Sequence, residues 1–147
     1  MRPVFREPGV GERIPSTGAT HTIVLPGEST GGVFAADVID MPPGWAAVAA
    51  HTHLSHEETF YVLDGVVTYT LDGETVVGEK GSTLYVPRGV RHGFGNRAAA
   101  PARVLNLFTP AGYEKFFPLL AEVFDAAGGK PSIQALAEVF GRFDTVL

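Results

Sequence analysis

The chain contains no cysteine. No disulfide can therefore support the fold, and no thiolate can bind a metal ion or act as a nucleophile. Any metal ion would have to be held by nitrogen and oxygen ligands, which come mainly from histidine, aspartate and glutamate. The absence of cysteine thus directs attention to the five histidines.

Long apolar runs and basic clusters are also absent. No apolar run reaches the roughly 18 residues that a membrane-spanning helix requires, and the segment from Met1 to Pro8 lacks the apolar core of a signal peptide. The formal net charge is -5, and no basic run interleaved with aromatic residues is present. We therefore expect a cytoplasmic protein that neither crosses a membrane nor binds nucleic acid.

The composition that is present favours a β-protein. The chain has 147 residues, of which 45% are hydrophobic, so it can bury a core as one domain. Its 18 glycines and 11 prolines suit short strands joined by tight turns. We expect one domain over residues 1–147, with an N-terminal arm (1–20), a barrel (21–110) and a helical tail (112–147).

Nine short segments have strand character, because they are rich in β-branched and aromatic residues and are bounded by turn residues. They are residues 22–25, 33–41, 45–53, 59–63, 66–71, 74–77, 82–86, 92–96 and 103–109. They recur at intervals of about ten residues, and Asp72-Gly73 between two of them is a type I′ hairpin signal. This spacing predicts an all-β fold, an antiparallel sandwich or barrel of the jelly-roll type.

The pattern becomes helical after the last of these strands. Residues 113–127 place apolar side chains at helical spacing, and Ser132 can cap a second helix. Each helix is about three turns long, too short to be stable alone, so both should pack on the barrel. Two interpretations stay open: the helices form a structural cover for one barrel end or a dimer surface, or they form a lid over a pocket.

Most of the histidines lie in one stretch, between Gly44 and Asn96. His51 and His53 are two residues apart, so in a strand both side chains point to the same face. Glu58 follows at a distance that lets the next strand return it beside them, and a later hairpin supplies His92. Three imidazoles and one carboxylate suit a first-row divalent metal and leave coordination positions open for catalysis.

These residues form two spaced patterns that resemble the two sequence motifs of the cupins. The first pattern reads Gly44, six residues, His51-Thr52-His53, four residues, Glu58, six residues and Gly65. The second pattern agrees with the family motif at every position and reads Gly81, Pro87, Gly89, His92 and Asn96. The first pattern has one residue more after Gly44 than the family motif. A bulge or a shifted turn would absorb it without moving the two histidines relative to each other.

The resemblance covers residues 44–96 through the motifs and residues 22–109 through the strand pattern. It implies a double-stranded β-helix, a jelly-roll barrel, here with a short two-helix C-terminal tail. It also implies that one divalent transition metal (Fe, Mn, Ni, Zn or Cu) binds to His51, His53, Glu58 and His92.

Three other titratable residues near the motifs need an interpretation. Glu57 is the rival of Glu58, but only Glu58 lies six residues before Gly65, as the motif requires. His56 is either a solvated turn residue or a group behind the ligands that relays protons at the mouth of the site. His21 is interpreted as a surface or dimer-contact histidine.

The residues around the predicted ligands suggest an apolar pocket for a small or aromatic organic molecule. Strand alternation points Phe60 and Val62 inward, and Phe94 should face the same way as His92. For two further strands the inward face stays open. The strand at residues 33–41 can direct inward either Phe34, Ala36 and Val38 or Val33, Ala35 and Asp37. The strand at residues 103–109 can direct inward either Leu105 and Leu107 or Asn106 and Phe108. Phe34 and Leu107 are the preferred pocket candidates.

Within the cupins, the chain is most similar to small single-domain members of the quercetin-dioxygenase-like (quercetinase-like) type. The resemblance rests on Thr30-Gly31-Gly32, on the run from Glu58 to Gly65 and on the run from Thr109 to Glu114. It implies an oxidoreductase, a metal-dependent dioxygenase for a small aromatic or enolic substrate, with Glu58 as ligand and as catalytic base. The alternatives are a metal-assisted isomerase, cyclase or decarboxylase, and a cupin that binds a small molecule without catalysis.

A homodimer is the expected assembly. Barrels of this type leave edge strands exposed, and a partner commonly covers them. The arm up to Thr20 is predicted to cross to the partner.

Overall fold

The computed structural model describes residues 2–46 and 48–147 and consists mainly of two antiparallel sheets. The strands are β1 (Glu12–Ser16), β2 (Ala19–Leu25), β3 (Ala35–Met41), β4 (His51–His53), β5 (Glu57–Asp64), β6 (Val66–Leu71), β7 (Glu74–Glu79), β8 (Thr83–Val86), β9 (Arg91–Gly95), β10 (Ala102–Thr109) and β11 (Thr145–Val146). One sheet has the order β1-β2-β3-β10-β5-β8, and the other has the order β11-β4-β9-β6-β7. The predicted all-β class is confirmed.

Turn chemistry fixes the register of the hairpins. Asp72 and Gly73 have φ values of 47° and 90° and join β6 to β7, so that Leu71 pairs with Glu74. Positive φ at both central residues defines the type I′ turn that the Asp-Gly pair predicts. Side chains that alternate along each strand then sort into a buried set and an exposed set.

The core between the sheets follows from this alternation. Phe60 and Val62 on β5 are fully buried, whereas Tyr61 between them is 43% exposed. Asn96 anchors the strand ends, because its side-chain amide donates to the carbonyl oxygens of Pro42 at 3.0 Å and Ala100 at 2.8 Å. The sequence prediction that β5 faces inward with Phe60 and Val62 is therefore correct.

Two short helices, α1 (Phe116–Ala126) and α2 (Ile133–Gly141), follow the barrel as expected. Pro118 lies in the first turn of α1, where a missing N–H disrupts no intrahelical hydrogen bond. Ser132 caps α2 by accepting a hydrogen bond from the Ala135 amide at 3.1 Å. Within the described part of the chain, no helix combines the length and the apolar character needed to cross a membrane.

The N-terminal segment differs from the predicted arm. Residues 12–16 form β1, which pairs with β2 of the same chain, and Ile14 is buried against α1 and its neighbours. Thr17 and Gly18, both with positive φ, form the turn between the two strands. The short β1 was missed because it contains a single inward-facing apolar residue. It leaves at most the residues before 12 free to reach a partner.

Candidate metal centre

The four predicted ligands lie together inside the barrel. His51 and His53 belong to β4, His92 belongs to β9 of the same sheet, and Glu58 belongs to β5 of the opposite sheet. One nitrogen or oxygen atom of each lies within 4.8 Å of those of the other three, and all four side chains are buried. The cluster could hold one metal ion.

The short strand β4 sets the positions of two ligands. His51 pairs with His92 across the sheet, and the amide of Gly89 donates to the carbonyl oxygen of His53 at 2.8 Å. Gly93 has no Cβ, and a Cβ there would lie 2.6 Å from the carbonyl oxygen of Val48. Glycine at this position therefore lets the segment before β4 lie close against β9.

Hydrogen bonds from the backbone fix which nitrogen of His51 and His92 is free. The Nδ1 atom of His51 lies 2.8 Å from the carbonyl oxygen of Ala49, and that of His92 lies 3.0 Å from the carbonyl oxygen of Val90. A carbonyl oxygen only accepts, so both Nδ1 atoms carry hydrogen. In the neutral imidazole the lone pair is then on Nε2, which faces the cluster.

The side chain of Thr145 on β11 fixes which nitrogen of His53 is free. The Nδ1 atom of His53 lies 2.9 Å from Oγ1 of Thr145, and that hydroxyl donates to the carbonyl oxygen of Phe143 at 3.0 Å. Because the hydroxyl proton is already used, Thr145 accepts from His53. The Nε2 lone pair of His53 is therefore also directed into the cluster.

The resulting arrangement brings acceptor atoms into contact. The Nε2 atoms of His51 and His53 lie 3.2 Å apart, and Oε2 of Glu58 lies 2.7 Å from Nε2 of His92 and 3.3 Å from Nε2 of His53. Lone pairs at these distances repel each other unless a proton or a cation lies between them. The donor set, three imidazole nitrogens and a carboxylate oxygen, fits a divalent transition metal.

The pKa values of the cluster describe the protons that a metal would displace. Burial raises the pKa of Glu58, but the neighbouring imidazoles of His53 and His92 hold it well below 4.5. Burial lowers the pKa of His92, yet the hydrogen bond to Glu58 and its charge raise it above 6.5 overall. Burial lowers the pKa of His51 to about 4, so this ligand is neutral. Metal binding thus displaces the proton held between His92 and Glu58.

Asn106 on β10 is a site residue that the sequence did not single out. Its amide Nδ2 donates to Oε1 of Glu58 at 2.8 Å, and its own Oδ1 is buried without a hydrogen-bond partner among the described residues. The structure resolves the open choice on β10 in favour of Asn106 and Phe108 as the inward residues. The sequence did contain one indication of this role, because Asn106 is the polar residue on an otherwise apolar face of β10.

Glu57 lies apart from the cluster. It is adjacent to Glu58 on β5, so its side chain points to the other face of the sheet. There Oε1 of Glu57 lies 2.6 Å from Nε of Arg88. Glu58 is therefore the carboxylate of the cluster.

His56 is not the solvated turn residue that was the first interpretation. It is 5% exposed, and its ring centroid lies 4.0 Å from that of His53 and 4.3 Å from that of Tyr113. Burial lowers its pKa to about 3, so the ring is neutral. Its Nε2 atom has no hydrogen-bond partner among the described residues. His56 thus packs behind a predicted ligand.

His21 is likewise buried, which corrects its interpretation as a surface or dimer-contact residue. It is 4% exposed and points to the same face of β2 as Ala19 and Ile23. This face of β2 is covered by α1, since the ring of Phe117 stacks on the imidazole of His21. The sequence predicted that the helix packs on the barrel, but not that it lies over this face of β2.

A cavity of about 330 Å³ adjoins the cluster, with His51 and Glu58 in its wall. Most of the wall is apolar, and both helices contribute to it. Residues from the helices include Phe116, Phe117, Leu120, Phe124, Leu136 and Phe140. The helices therefore cover the cavity itself, as in the lid interpretation, and do not only brace one end of the barrel.

The predicted pocket residues are only partly found in this wall. Phe94 lines the cavity. Phe60 and Val62 point inward but lie in the core outside the wall. Phe34 and Leu107 are half-buried and outside the wall, which corrects that expectation. The reason is strand parity, since β3 and β10 direct the opposite set of side chains into the barrel.

Comparisons with known proteins agree with this fold and cluster. A family model described as the cupin domain matches residues 37–108, the part of the chain that contains all four residues of the cluster. Quercetin 2,3-dioxygenase of Bacillus subtilis (strain 168) is 29% identical over 145 residues, which are 99% of this chain and 41% of that protein. The tetracenomycin polyketide synthase protein TcmJ of Streptomyces glaucescens is 35% identical over 72 residues, 49% of this chain and 48% of that protein. The chain spans less than half the length of these curated relatives.

Solved structures show the same architecture. An RmlC-like cupin from Shewanella frigidimarina superposes with a TM-score of 0.65 at 21% identity, covering 78% of this chain and 96% of its own. A predicted oxalate decarboxylase from Thermotoga maritima has a TM-score of 0.64 at 21% identity, with 73% and 98% covered. At this identity the likeness concerns the fold, and it supports the predicted jelly-roll barrel with its two-helix tail.

Proposed function

We propose that this chain is a metal-dependent dioxygenase that acts on a small aromatic or enolic molecule. The observation that carries the proposal is a buried set of three imidazoles and a carboxylate that opens into a largely apolar cavity of about 330 Å³. The similarity to a quercetin dioxygenase over nearly the whole chain supports the choice of reaction.

His51, His53, Glu58 and His92 would hold the ion, which belongs to the group Fe, Mn, Ni, Zn and Cu. When bound, such an ion supplies a Lewis acid and, for the redox-active metals, an electron-transfer centre for the substrate and O₂. The protein contributes fixed Nε2 lone pairs, because each Nδ1 atom is already hydrogen-bonded.

Glu58 has a second role in this proposal. It stays ionised, lines the cavity and is held by Asn106 at Oε1. Its carboxylate can therefore accept the proton of a substrate hydroxyl that enters the cavity beside it. The apolar wall formed by α1 and α2 excludes water, which strengthens electrostatic interactions inside.

Oxygen consumption by the metal-loaded protein tests the proposal. The protein is loaded with each of the five ions in turn and mixed with flavonols and catechols in an oxygen electrode. We expect uptake with at least one ion, loss of uptake in His51→Ala and wild-type uptake in Glu57→Gln, whose carboxylate lies outside the cluster. Turnover without O₂ uptake would favour the isomerase or decarboxylase alternative, and no turnover with any ion would contradict the proposal.

We also infer that the chain forms a homodimer through the outer face of its larger sheet. Tyr61 on β5 is 43% exposed and Tyr85 on the edge strand β8 is 59% exposed, so this face carries large aromatic side chains in water. Size-exclusion chromatography with light scattering tests this inference, and a monomeric mass at micromolar concentration would contradict it.

A further inference from the structure

A buried histidine–aspartate pair lies in the barrel outside the metal centre. Nδ1 of His21 on β2 lies 2.5 Å from Oδ2 of Asp37 on β3. Both side chains are buried, at 4% and 0% exposure. His21 also lines the cavity that the metal centre shares. The pair thus belongs to the same chamber as Glu58, although β3 and β10 lie between β2, which carries His21, and β5, which carries Glu58.

The imidazole of His21 is held by two groups, the carboxylate of Asp37 and the ring of Phe117. Asp37 is itself fixed, because its other oxygen, Oδ1, accepts a hydrogen bond from the backbone amide of Thr22 at 3.0 Å. The ring of Phe117 on α1 stacks on the imidazole, with centroids 3.9 Å apart and planes 23° apart. The hydrogen bond to Asp37 occupies Nδ1, and no side chain in the described residues bonds to Nε2. Nε2 is therefore the nitrogen left for a molecule in the cavity.

Stability alone does not account for this pair. Burying a histidine and a carboxylate costs desolvation energy, and apolar residues of similar volume usually stabilise a core as well or better. The neighbours of His21 on the same face of β2 are apolar, Ala19 and Ile23. Contact with a ligand in the cavity would account for a buried polar pair on this apolar face.

The pair is also suited to donate a hydrogen bond. A deprotonated pair would place a second negative charge in the chamber that already contains Glu58, and burial raises the pKa of Asp37. With a hydrogen on Nε2, the pair is neutral overall and donates to a carbonyl, phenol or phenolate oxygen; without it, Nε2 accepts from a phenol hydroxyl.

We propose that His21, positioned by Asp37, is the second binding group of the cavity and that it recognises an oxygen atom of the substrate remote from the metal centre. The inference rests on the proposed function and narrows its substrate class. The substrate carries two oxygen functions separated by an apolar ring system, one bound at the metal centre and one bound by Nε2 of His21. A compound that lacks the second oxygen binds more weakly.

Two flavonols test the proposal in the zinc-loaded protein. Quercetin and 3-hydroxyflavone share the 3-hydroxy-4-keto group that would face the metal centre, but only quercetin carries further ring hydroxyls. Isothermal titration calorimetry should give about tenfold tighter binding of quercetin to the wild type, the equivalent of one hydrogen bond to an uncharged partner. In His21→Phe we expect the ratio to fall to about one while 3-hydroxyflavone binds as before. His21→Gln, which keeps an N–H donor, should restore part of the preference.

Phe124→Leu is the matched control, since Phe124 lines the same cavity without a polar atom. It should change both dissociation constants by the same factor and leave their ratio intact. A preference for quercetin that survives in His21→Phe would overturn the inference and leave the proposed function standing. Quercetin that binds the wild type with the expected preference but consumes no O₂ with any ion would overturn only the proposed function. A wild type that binds neither flavonol would overturn the substrate class.

Nitrogen NMR of the wild-type protein is a second test of the inference, and it needs no substitution. Quercetin added to the zinc-loaded wild type should shift the Nε2 resonance of His21, and 3-hydroxyflavone should leave it in place. An Nε2 resonance that responds equally to both compounds would overturn the inference even if His21→Phe fails to fold.

Discussion

Each histidine of the metal centre depends on one hydrogen bond to its Nδ1 atom. Backbone carbonyl oxygens serve His51 and His92, and these acceptors cannot be removed by substitution. His53 instead depends on the hydroxyl of Thr145, which a single change can delete. Among the three Nδ1 acceptors, Thr145 is therefore the one whose contribution to metal binding can be measured by substitution.

Thr145→Val keeps the shape of the side chain and removes the acceptor for Nδ1 of His53. The imidazole loses its fixed tautomer, so we expect the zinc affinity to fall by about tenfold or more. Competition with a chelating dye measures the affinity. Thr52→Val on β4 is the control, because Thr52 lies between the ligands but points to the other face. Equal affinities in wild type and Thr145→Val would contradict the assigned hydrogen-bond direction.

Buried neutral histidines should make the metal-free protein sensitive to acid. The pKa values of His51 and His56 are lowered to about 4 and about 3 by burial. Below pH 6.5 the unfolded chain binds protons that the folded chain does not, so stability falls as the pH falls from 6.5 toward these values. Glu58, with its lowered pKa, adds to the loss below pH 4.5. The raised pKa of His92 adds stability as the pH falls to about 6.5, and this contribution is constant at lower pH.

Thermal unfolding in EDTA measures this acid sensitivity. The midpoint should be several degrees lower at pH 5 than at pH 7.5, since each unit of pKa difference is worth about 1.4 kcal/mol. His56→Phe should reduce the difference, because one of the two histidines no longer titrates. A midpoint that does not change between the two pH values would show that the rings are solvated.

The sequence predicted which four side chains lie together in the cluster, but not all of their surroundings. His51, His53 and Glu58 could be assigned because strand alternation and motif spacing agree on which side chains meet. The burial of His21 and His56 depends on rings from the later part of the chain that cover them, Phe117 for one and Tyr113 for the other. The role of Thr145 could not be predicted, because its strand β11 has only two residues and pairs with β4, which is distant in sequence.

At the level of elements, the two helices contribute to the site as well as to the core. Phe140 on α2 lies in the cavity wall, and its ring centroid is 4.9 Å from that of Phe116 on α1 and 6.4 Å from that of His51. The helices and longer strands were predictable from periodicity and turn residues. The function of the helices was not, because periodicity identifies a buried face without identifying what that face encloses.

The substitution Phe140→Ala tests whether the cavity wall can be changed without changing metal binding. Removing a half-buried aromatic side chain should lower the free energy of unfolding by about 2 kcal/mol and weaken flavonol binding. Zinc affinity should change little, because Phe140 supplies no ligand and no hydrogen bond to one. Ile133→Ala on the same helix is the control, since Ile133 is 83% exposed and should have almost no effect on stability. A large loss of zinc affinity in Phe140→Ala would contradict this division of roles.

At the level of the whole molecule, the four ligands come from both sheets of the barrel. A bound ion would therefore link the sheets and favour the folded state over the unfolded state. The jelly-roll architecture itself was predictable, because many short strands with regular turns have few alternative arrangements. The exact wall of the cavity was not, since it depends on strand parity and on helices from a distant part of the sequence.

Metal removal should lower the thermal midpoint of the wild type. At a free zinc concentration of 100 times the dissociation constant, the stabilisation is about 2.7 kcal/mol. For a protein of this size that corresponds to a shift of roughly 5–10 °C. Differential scanning calorimetry with zinc and with EDTA measures the shift, and Glu58→Gln should reduce it strongly. The same midpoint with and without zinc in the wild type would contradict metal binding at this cluster.

Thr145 is separated from its partner His53 by 92 residues in sequence. During protein synthesis the ten other strands leave the ribosome before β11 does, so most of the barrel can form on the nascent chain. His53 acquires its acceptor only after Thr145 has emerged and paired with β4. We therefore expect tight metal capture to follow the pairing of β11 with β4, later than the formation of the strands that carry the four predicted ligands.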